Sequence, residues 1–383
     1  MMDWGTVRAR YMLPTGVIYL NNGSVGPSPR PVFDALVRYL RQLEENPSVY
    51  AEQYNRMVKE VKPKLAAFLG ARPECTAIVM NLTWGMNIFS RGIRGLAAGD
   101  EILTTDQEYG AVNNAWEYAA GRQGLLIRRV GIPVPPESPG QILDIIEKGI
   151  TSRTRVISVS HVTSSTGLVL PVKELSALAH ARGILTAIDG AHAPGMLCLD
   201  IDDIGCDFYA GNCHKRLCAP KGTAFIAAHP RSWGRLEPFL VGWGWAKDRP
   251  ETFVGNFENP GIHNTAIPNA IGDAVDFQLS IGRQRIEARG RELAECGKDL
   301  FTRLPGAKLL TPRDPAMCGS MAAYTLPPLD DGEKLTTALR VRGLIVPAGA
   351  DPTGGRMRIS THIYNSREEL DLLDEALRET WQS

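Results

Sequence analysis

From about residue 32 to residue 230, short continuous apolar runs alternate with segments whose apolar positions recur every three or four residues. The first spacing predicts strands buried on both faces, and the second predicts helices with one apolar side. A helix opens at Pro31–Leu40 with proline in its first turn, and another runs from Tyr54 to Leu69 and stops at Gly70. Strands are predicted at Ala77–Met80, Glu101–Thr105, Leu125–Val130, Arg155–Ser160, Gly183–Asp189, Phe208–Gly211 and Gly222–Ala227, with a helix at Leu170–Ala181. Strand–helix alternation with apolar strands predicts an α/β fold built on a mainly parallel, doubly wound sheet. In such sheets, polar residues just beyond the strand C-termini line the ligand crevice.

The pattern then changes. Residues 231–265 are rich in Trp, Gly, Pro and Asn and read as an irregular connection. Ile267–Leu304 is one long helical pattern, interrupted near Gly282. Ala322–Leu326 and Arg356–Ser360 read as strands, Glu333–Arg342 as a helix, and a closing helix starts at Arg367. This divides the chain into a large domain over residues 17–260 and a small α+β domain, with its connecting helix, made of residues 1–16 and 261–383.

Composition narrows the partners. The 383 residues are 44% hydrophobic, and 42 Lys+Arg balance 42 Asp+Glu, so bulk charge favours neither a nucleic acid nor an anionic membrane. The first sixteen residues carry Asp3, Arg8 and Arg10 and do not read as a signal peptide. No stretch approaches the roughly 20 apolar residues of a membrane span. Seven scattered cysteines with no C-x-x-C pair fit a reducing, cytoplasmic setting, and no metal is expected. No G-x-G-x-x-G follows a strand, which removes the sequence support for a nicotinamide-dependent dehydrogenase.

Asp189 ends an apolar strand. Alone it is as compatible with a helix N-cap as with a ligand carboxylate. Lys215 follows the next strand, and a lone lysine there reads as a solvated loop charge. Together they are what pyridoxal phosphate requires: an amine to form the Schiff base, and a carboxylate to keep the ring nitrogen protonated. His192 then suits the cofactor's phenolic oxygen. Asn81-Leu-Thr-Trp-Gly85, between a strand and a helix, offers backbone N–H groups and the Thr83 hydroxyl to a phosphate. Tyr109 follows another strand and suits ring stacking, and the hydroxyls of 161–167, Ser164 among them, are near at hand. Trp84, Trp243 and Trp245 read as core or interface ahead of a substrate pocket.

Asp-Gly-Ala-His-Ala-Pro-Gly at 189–195 and Gly-Asn-Cys-His-Lys-Arg-Leu-Cys-Ala-Pro-Lys-Gly at 211–222 resemble the class V aminotransferase family, in its isopenicillin N epimerase-like branch, which is similar in fold to cysteine desulfurases. Leu20-Asn-Asn-Gly-Ser-Val-Gly26 and Arg358-Ile-Ser, followed by Tyr364-Asn365, extend the resemblance over nearly the whole chain. It implies a fold-type-I pyridoxal phosphate enzyme, a homodimer with active sites at the subunit interface. Carried over residue by residue, it implies Lys215 for the Schiff base, Asp189 for the pyridinium nitrogen and Tyr109 for stacking. Leu82, Thr83, Asn212 and His214 fall at phosphate positions, and His192 at the phenolic oxygen. Arg358 falls at the carboxylate clamp, and Asn22 where the branch has a substrate-side His. Thr265 falls at a position that reaches the partner's phosphate.

Two departures bear on the reaction. Asn264-Thr265-Ala-Ile stands where relatives show Gly-Thr-Arg-Asp. The loop Val346–Gly355 has no cysteine where a desulfurase carries its nucleophile, which argues against persulfide chemistry, and Cys318 reads as core. Epimerase- or aminotransferase-like chemistry at the alpha carbon of an amino-acid-like substrate therefore leads. Beta-elimination by a C–S lyase acting on a cysteine-derived substrate follows. A catalytically degenerate binding scaffold is the alternative of another class, and intact Lys215 and Asp189 argue against it.

Overall fold

The computed structural model describes residues 2–242, 245, 255–258, 261–301, 304–326, 332–351 and 354–382. Its strands are β1 (Ile18–Tyr19), β2 (Thr76–Val79), β3 (Glu101–Thr105), β4 (Leu126–Val130), β5 (Thr154–Ser160), β6 (Leu185–Asp189), β7 (Phe208–Asn212), β8 (Ala224–Ala228), β9 (Lys308–Leu309), β10 (Met321–Thr325), β11 (Leu344–Ile345), β12 (Ala348–Asp351) and β13 (Gly354–Ser360). Seven form one sheet in the order β2-β8-β7-β6-β5-β3-β4. The run from β7 to β4 is parallel, and β8 alone is antiparallel to both its neighbours. The expected mainly parallel α/β sheet is present. The reversed strand arises because β7 and β8 form a hairpin, and the connection between them carries Lys215.

Side-chain alternation divides the core about this sheet. Ile157 and Val159 of β5, Ile188 of β6 and Tyr209 of β7 join one buried cluster, while Val156, Ala187, Phe208 and Ala210 from the same strands join another. Helices cover both faces of the central strands β5, β6, β7 and β8, which are buried along nearly all their length, whereas the edge strand β4, with Arg128 and Arg129, is largely exposed. The first cluster also takes Val7 and Tyr11 from the N-terminus and Ala270, Ile271 and Val275 from the helix Ala266–Ile281. A third cluster lies under the four-stranded sheet β12-β13-β10-β9 and includes Leu293, Tyr324, Leu339, Ile359 and Leu373, with Ile18 and Leu20 added from the N-terminal segment. β1 reaches it by pairing in parallel with β11.

Two helical patterns resolve in different ways. Ile267–Leu304 becomes helices Ala266–Ile281 and Arg283–Phe301, separated by Gly282 at φ +101, a backbone conformation that glycine adopts without strain. Tyr54–Leu69 is not one regular helix. It is split into Tyr50–Arg56, a π turn at Met57–Val61 and Lys62–Leu69. Pro63 has no N–H to donate to the preceding turn, and the widened turn absorbs the break.

Candidate active site

The C-terminal ends of five strands converge on a cavity of about 310 Å³. Asn81, Leu82 and Thr83 follow β2, Tyr109 follows β3, and Ser160 ends β5. Asp189 ends β6, Asn212 ends β7, and the β7–β8 hairpin brings His214 and Lys215. From the small sheet, β13 adds Arg358, and Gly23, Ser24 and Ser164 complete that side.

Asp189 is 2% exposed, and one carboxylate oxygen accepts the Ala191 N–H at 2.8 Å. Burial pushes its pKa up to about 6 despite that hydrogen bond and the nearby Lys215. The Lys215 amine is drawn down to about 8, first by burial and then by Arg358 and Arg216, with Asp189 opposing. Its Nζ lies 3.2 Å from Nε2 of His192. Burial, reinforced by Lys215, holds His192 well below the ordinary histidine range, so the ring is neutral near pH 7, and its Nδ1 is buried without a partner.

The phosphate-side residues are organised before any ligand arrives. Asn81 caps the helix Leu82–Gly92 by accepting the Trp84 N–H, and Asn212 Oδ1 accepts the Leu82 N–H at 2.9 Å. Leu82 thus spends its N–H on Asn212. Exposed Thr83 keeps its hydroxyl at the cavity beside the helix N-terminus, where the macrodipole favours an anion. His214 donates from Nδ1 to the Thr223 carbonyl, which leaves Nε2 for a ligand. Tyr109 is 50% exposed at the cavity, as suits a ring that gains cover from a bound planar group. The unpartnered His192 Nδ1, the acid–amine pair and the phosphate-side donors fit pyridoxal phosphate.

At the other end, Arg358 donates to the Ser164 carbonyl at 2.8 Å and its hydroxyl at 3.1 Å, to Ser24 Oγ at 3.0 Å and to Asn21 Oδ1 at 3.3 Å. These contacts fix the guanidinium plane, and all its partners are neutral, so a carboxylate meets an unneutralised cation. Asn22 and Thr265 do not line this chain's cavity among the described residues. Asn22 is fully buried, with Nδ2 on the Lys215 carbonyl at 3.3 Å and Oδ1 accepting from Tyr364, so it braces the lysine turn from behind. Thr265 is fully buried away from the cavity, and its hydroxyl donates to Gln53. Trp84 packs at a tilt against Phe239 with ring centroids 5.2 Å apart, Trp245 is exposed, and Trp243 lies outside the described residues. Buried Cys318 lies just before β10, and Pro352 and Thr353 of the loop before Arg358 fall outside the described residues.

Sequence reasoning did not single out Asn21 and Ser24, although the 20–26 segment contains both. It also missed Glu108, which accepts from the Thr105 and Ser160 hydroxyls at 2.6 Å each and is raised to about 7 by burial, with Asp189 adding to the shift. Glu108 precedes Tyr109 on the post-β3 loop, and nothing in its local pattern distinguishes it from a solvated acid. Gly26 has a spatial reason that spacing cannot convey: a Cβ there would lie 1.9 Å from the Lys215 carbonyl oxygen.

The aminotransferase class-V family model matches residues 18–373. The chain is 37% identical to isopenicillin N epimerase of Amycolatopsis lactamdurans and 38% identical to that of Streptomyces clavuligerus, in each case over 98% of this chain and 98% of the relative. Among solved structures, a complex of the cystine C–S lyase C-DES with its reaction product cysteine persulfide superposes with a TM-score of 0.86 at 23% identity, covering 95% of this chain and 97% of the other, which is a likeness of fold.

Proposed function

The chain belongs to the aminotransferase class-V family, and on that premise we propose that it inverts the alpha carbon of an amino-acid-like substrate bearing a free alpha-carboxylate. It is a pyridoxal-phosphate-dependent enzyme of the fold-type-I class that acts at the alpha carbon. Bound in the cavity, the cofactor supplies the electron sink that makes the alpha proton acidic. The remaining work falls to the chain's own residues. Asp189 holds a proton at the ring nitrogen as its counter-charge. Arg358 receives the substrate carboxylate and orients the alpha carbon. Lys215, drawn toward neutral pH, holds the cofactor covalently at rest and carries the alpha proton on its own side. Tyr109 covers the opposite face.

The observation that carries this reading is the convergence of Asp189, Lys215 and Arg358 on one cavity from two separate sheets. The likeness to two epimerases favours inversion over transamination. Elimination from a cysteine-derived substrate is the second reading, and the loop 346–355 lacks the thiol that persulfide transfer would need. Exposed Val25, Phe33, Leu240, Val241 and Ile262 support a homodimer, and seven free cysteines support a reducing, cytoplasmic location.

Incubation with amino acids in deuterated water, followed by NMR and chiral chromatography, tests the proposal. Alpha-deuterated product of inverted configuration is expected. Keto acid in its place means transamination, and pyruvate with sulfide means elimination. Absence of any alpha-deuterium, in protein that borohydride labels at Lys215, refutes alpha-carbon chemistry on the substrates tried.

A further inference from the structure

Arg216 follows Lys215 in the chain and is 1% exposed, the largest of the fully buried side chains. Among the described residues it has no ion-pair partner. Its Nη1 donates to the Thr361 carbonyl at 2.6 Å and its Nη2 to the Ser320 carbonyl at 3.2 Å, while Nε is buried without a partner. A buried guanidinium without a carboxylate is costly, and an apolar side chain of similar size would be cheaper. Stability does not account for it, and its geometry suggests another role.

The two carbonyls mark the ends of neighbouring strands. Ser320 immediately precedes β10, and Thr361 immediately follows β13, the strand that carries Arg358. The main chain of Arg216 is tied in the same direction: its carbonyl accepts from Gln278 Nε2 at 3.0 Å and lies 3.0 Å from His362 Nε2. Gly195, at φ +79, lets the chain pass close by, since a Cβ there would lie 2.5 Å from the same carbonyl oxygen. One residue thus bridges the hairpin turn that holds the amine and the strand that holds the carboxylate clamp.

We propose that Arg216 is a positioning residue that couples the Lys215 turn to the Arg358 strand and so sets the distance at which one substrate's amine and carboxylate are received. The inference rests on the roles given above to Lys215 and Arg358. Its charge also helps lower the Lys215 amine, a secondary consequence of the same placement. Side chains that merely filled the core would influence stability without touching the discrimination between ligands with and without a carboxylate.

The test uses holoenzyme and the visible band of its bound pyridoxal phosphate, titrated with L-alanine, D-alanine and ethylamine. Arg216→Lys keeps the cation and the buried stem but loses the planar fork that reaches two carbonyls. The preference for alanine over ethylamine is expected to fall about tenfold, with ethylamine half-saturation nearly unchanged. His362→Gln, which alters the tie at the Arg216 carbonyl, must move the ratio in the same direction and decides the matter if Arg216→Lys does not fold. An unchanged ratio, or equal weakening of both ligand classes, overturns the coupling. Wild-type holoenzyme with no preference for a carboxylate would fail at Arg358 itself and bring down both readings.

Discussion

At one end of the cavity, Ser160, Asp189 and Asn212 stand at the tips of three neighbouring parallel strands, and Lys215 lies on the hairpin that follows the third. At the other end, Arg358 is held by Ser164, Ser24 and Asn21, partners 194, 334 and 337 positions away in the chain. The first end belongs to the sheet: any sequence that forms these strands in this order delivers the residues together. The second exists only when the N-terminal segment, the post-β5 loop and the small sheet have all docked. The cofactor end should therefore tolerate loss of a substrate-end residue, and the substrate end should depend on assembly.

The most severe test is Asp189→Ala. Loss of the counter-charge at the ring nitrogen should lower kcat by roughly 10²–10³-fold or more, the scale of removing one preorganised electrostatic group. The fold should persist, because the Asp189 carboxylate takes part in one hydrogen bond among the described residues, accepting the Ala191 N–H. Near-wild-type turnover by steady-state assay would sever the link between the strand tips and the chemistry.

Arg358→Ala separates the two ends directly. Charge-assisted hydrogen bonds contribute about 1.5–3 kcal/mol, so KM for an amino-acid substrate should rise roughly 10–100-fold. Cofactor content, measured from the absorbance of denatured protein, should be unchanged. A parallel loss of cofactor would mean that the ends are not independent.

The smallest effect is in stability against pH. In cofactor-free protein Asp189 is raised from 3.8 to about 6 and Glu108 from 4.5 to about 7, both by burial. The folded state therefore binds protons more tightly than the unfolded state between about pH 4 and 7, and stability is lost as pH rises through that window. Glu108→Gln removes one of these carboxyls and should reduce the fall in melting temperature between pH 5 and 8 by about 2–4 °C. A slope identical to wild type, measured by calorimetry, would place the buried proton elsewhere.

Legibility in the sequence followed the same division. Strand-terminal Asp189 and the Lys215 segment stand out because apolar runs end abruptly in polar residues, and β3 is found with its boundaries as read. The break at Gly282 was equally visible, since its conformational freedom is local. Helix Pro139–Gly149 has no counterpart among the predicted elements, although Pro is well suited to a first helical position. Asn22 shows the harder limit. It falls where the related branch has a substrate-side His, but the fold directs its amide to the Lys215 carbonyl and its oxygen to Tyr364.

What the sequence determined by itself was the layered α/β plan, the strand tips that face the crevice and the acid–amine pair that suits the cofactor. Periodicity and strand ends are properties of short segments, so the amino acids suffice to specify them. What the tertiary structure alone decided was the set of contacts between segments far apart in the chain: the cradle around Arg358, the bracing of Lys215 by Asn22, and the ties from Arg216 to Ser320 and Thr361. These depend on how one sheet packs beside another. A buried polar group takes whichever partner the packed backbone presents, and no local pattern records that choice.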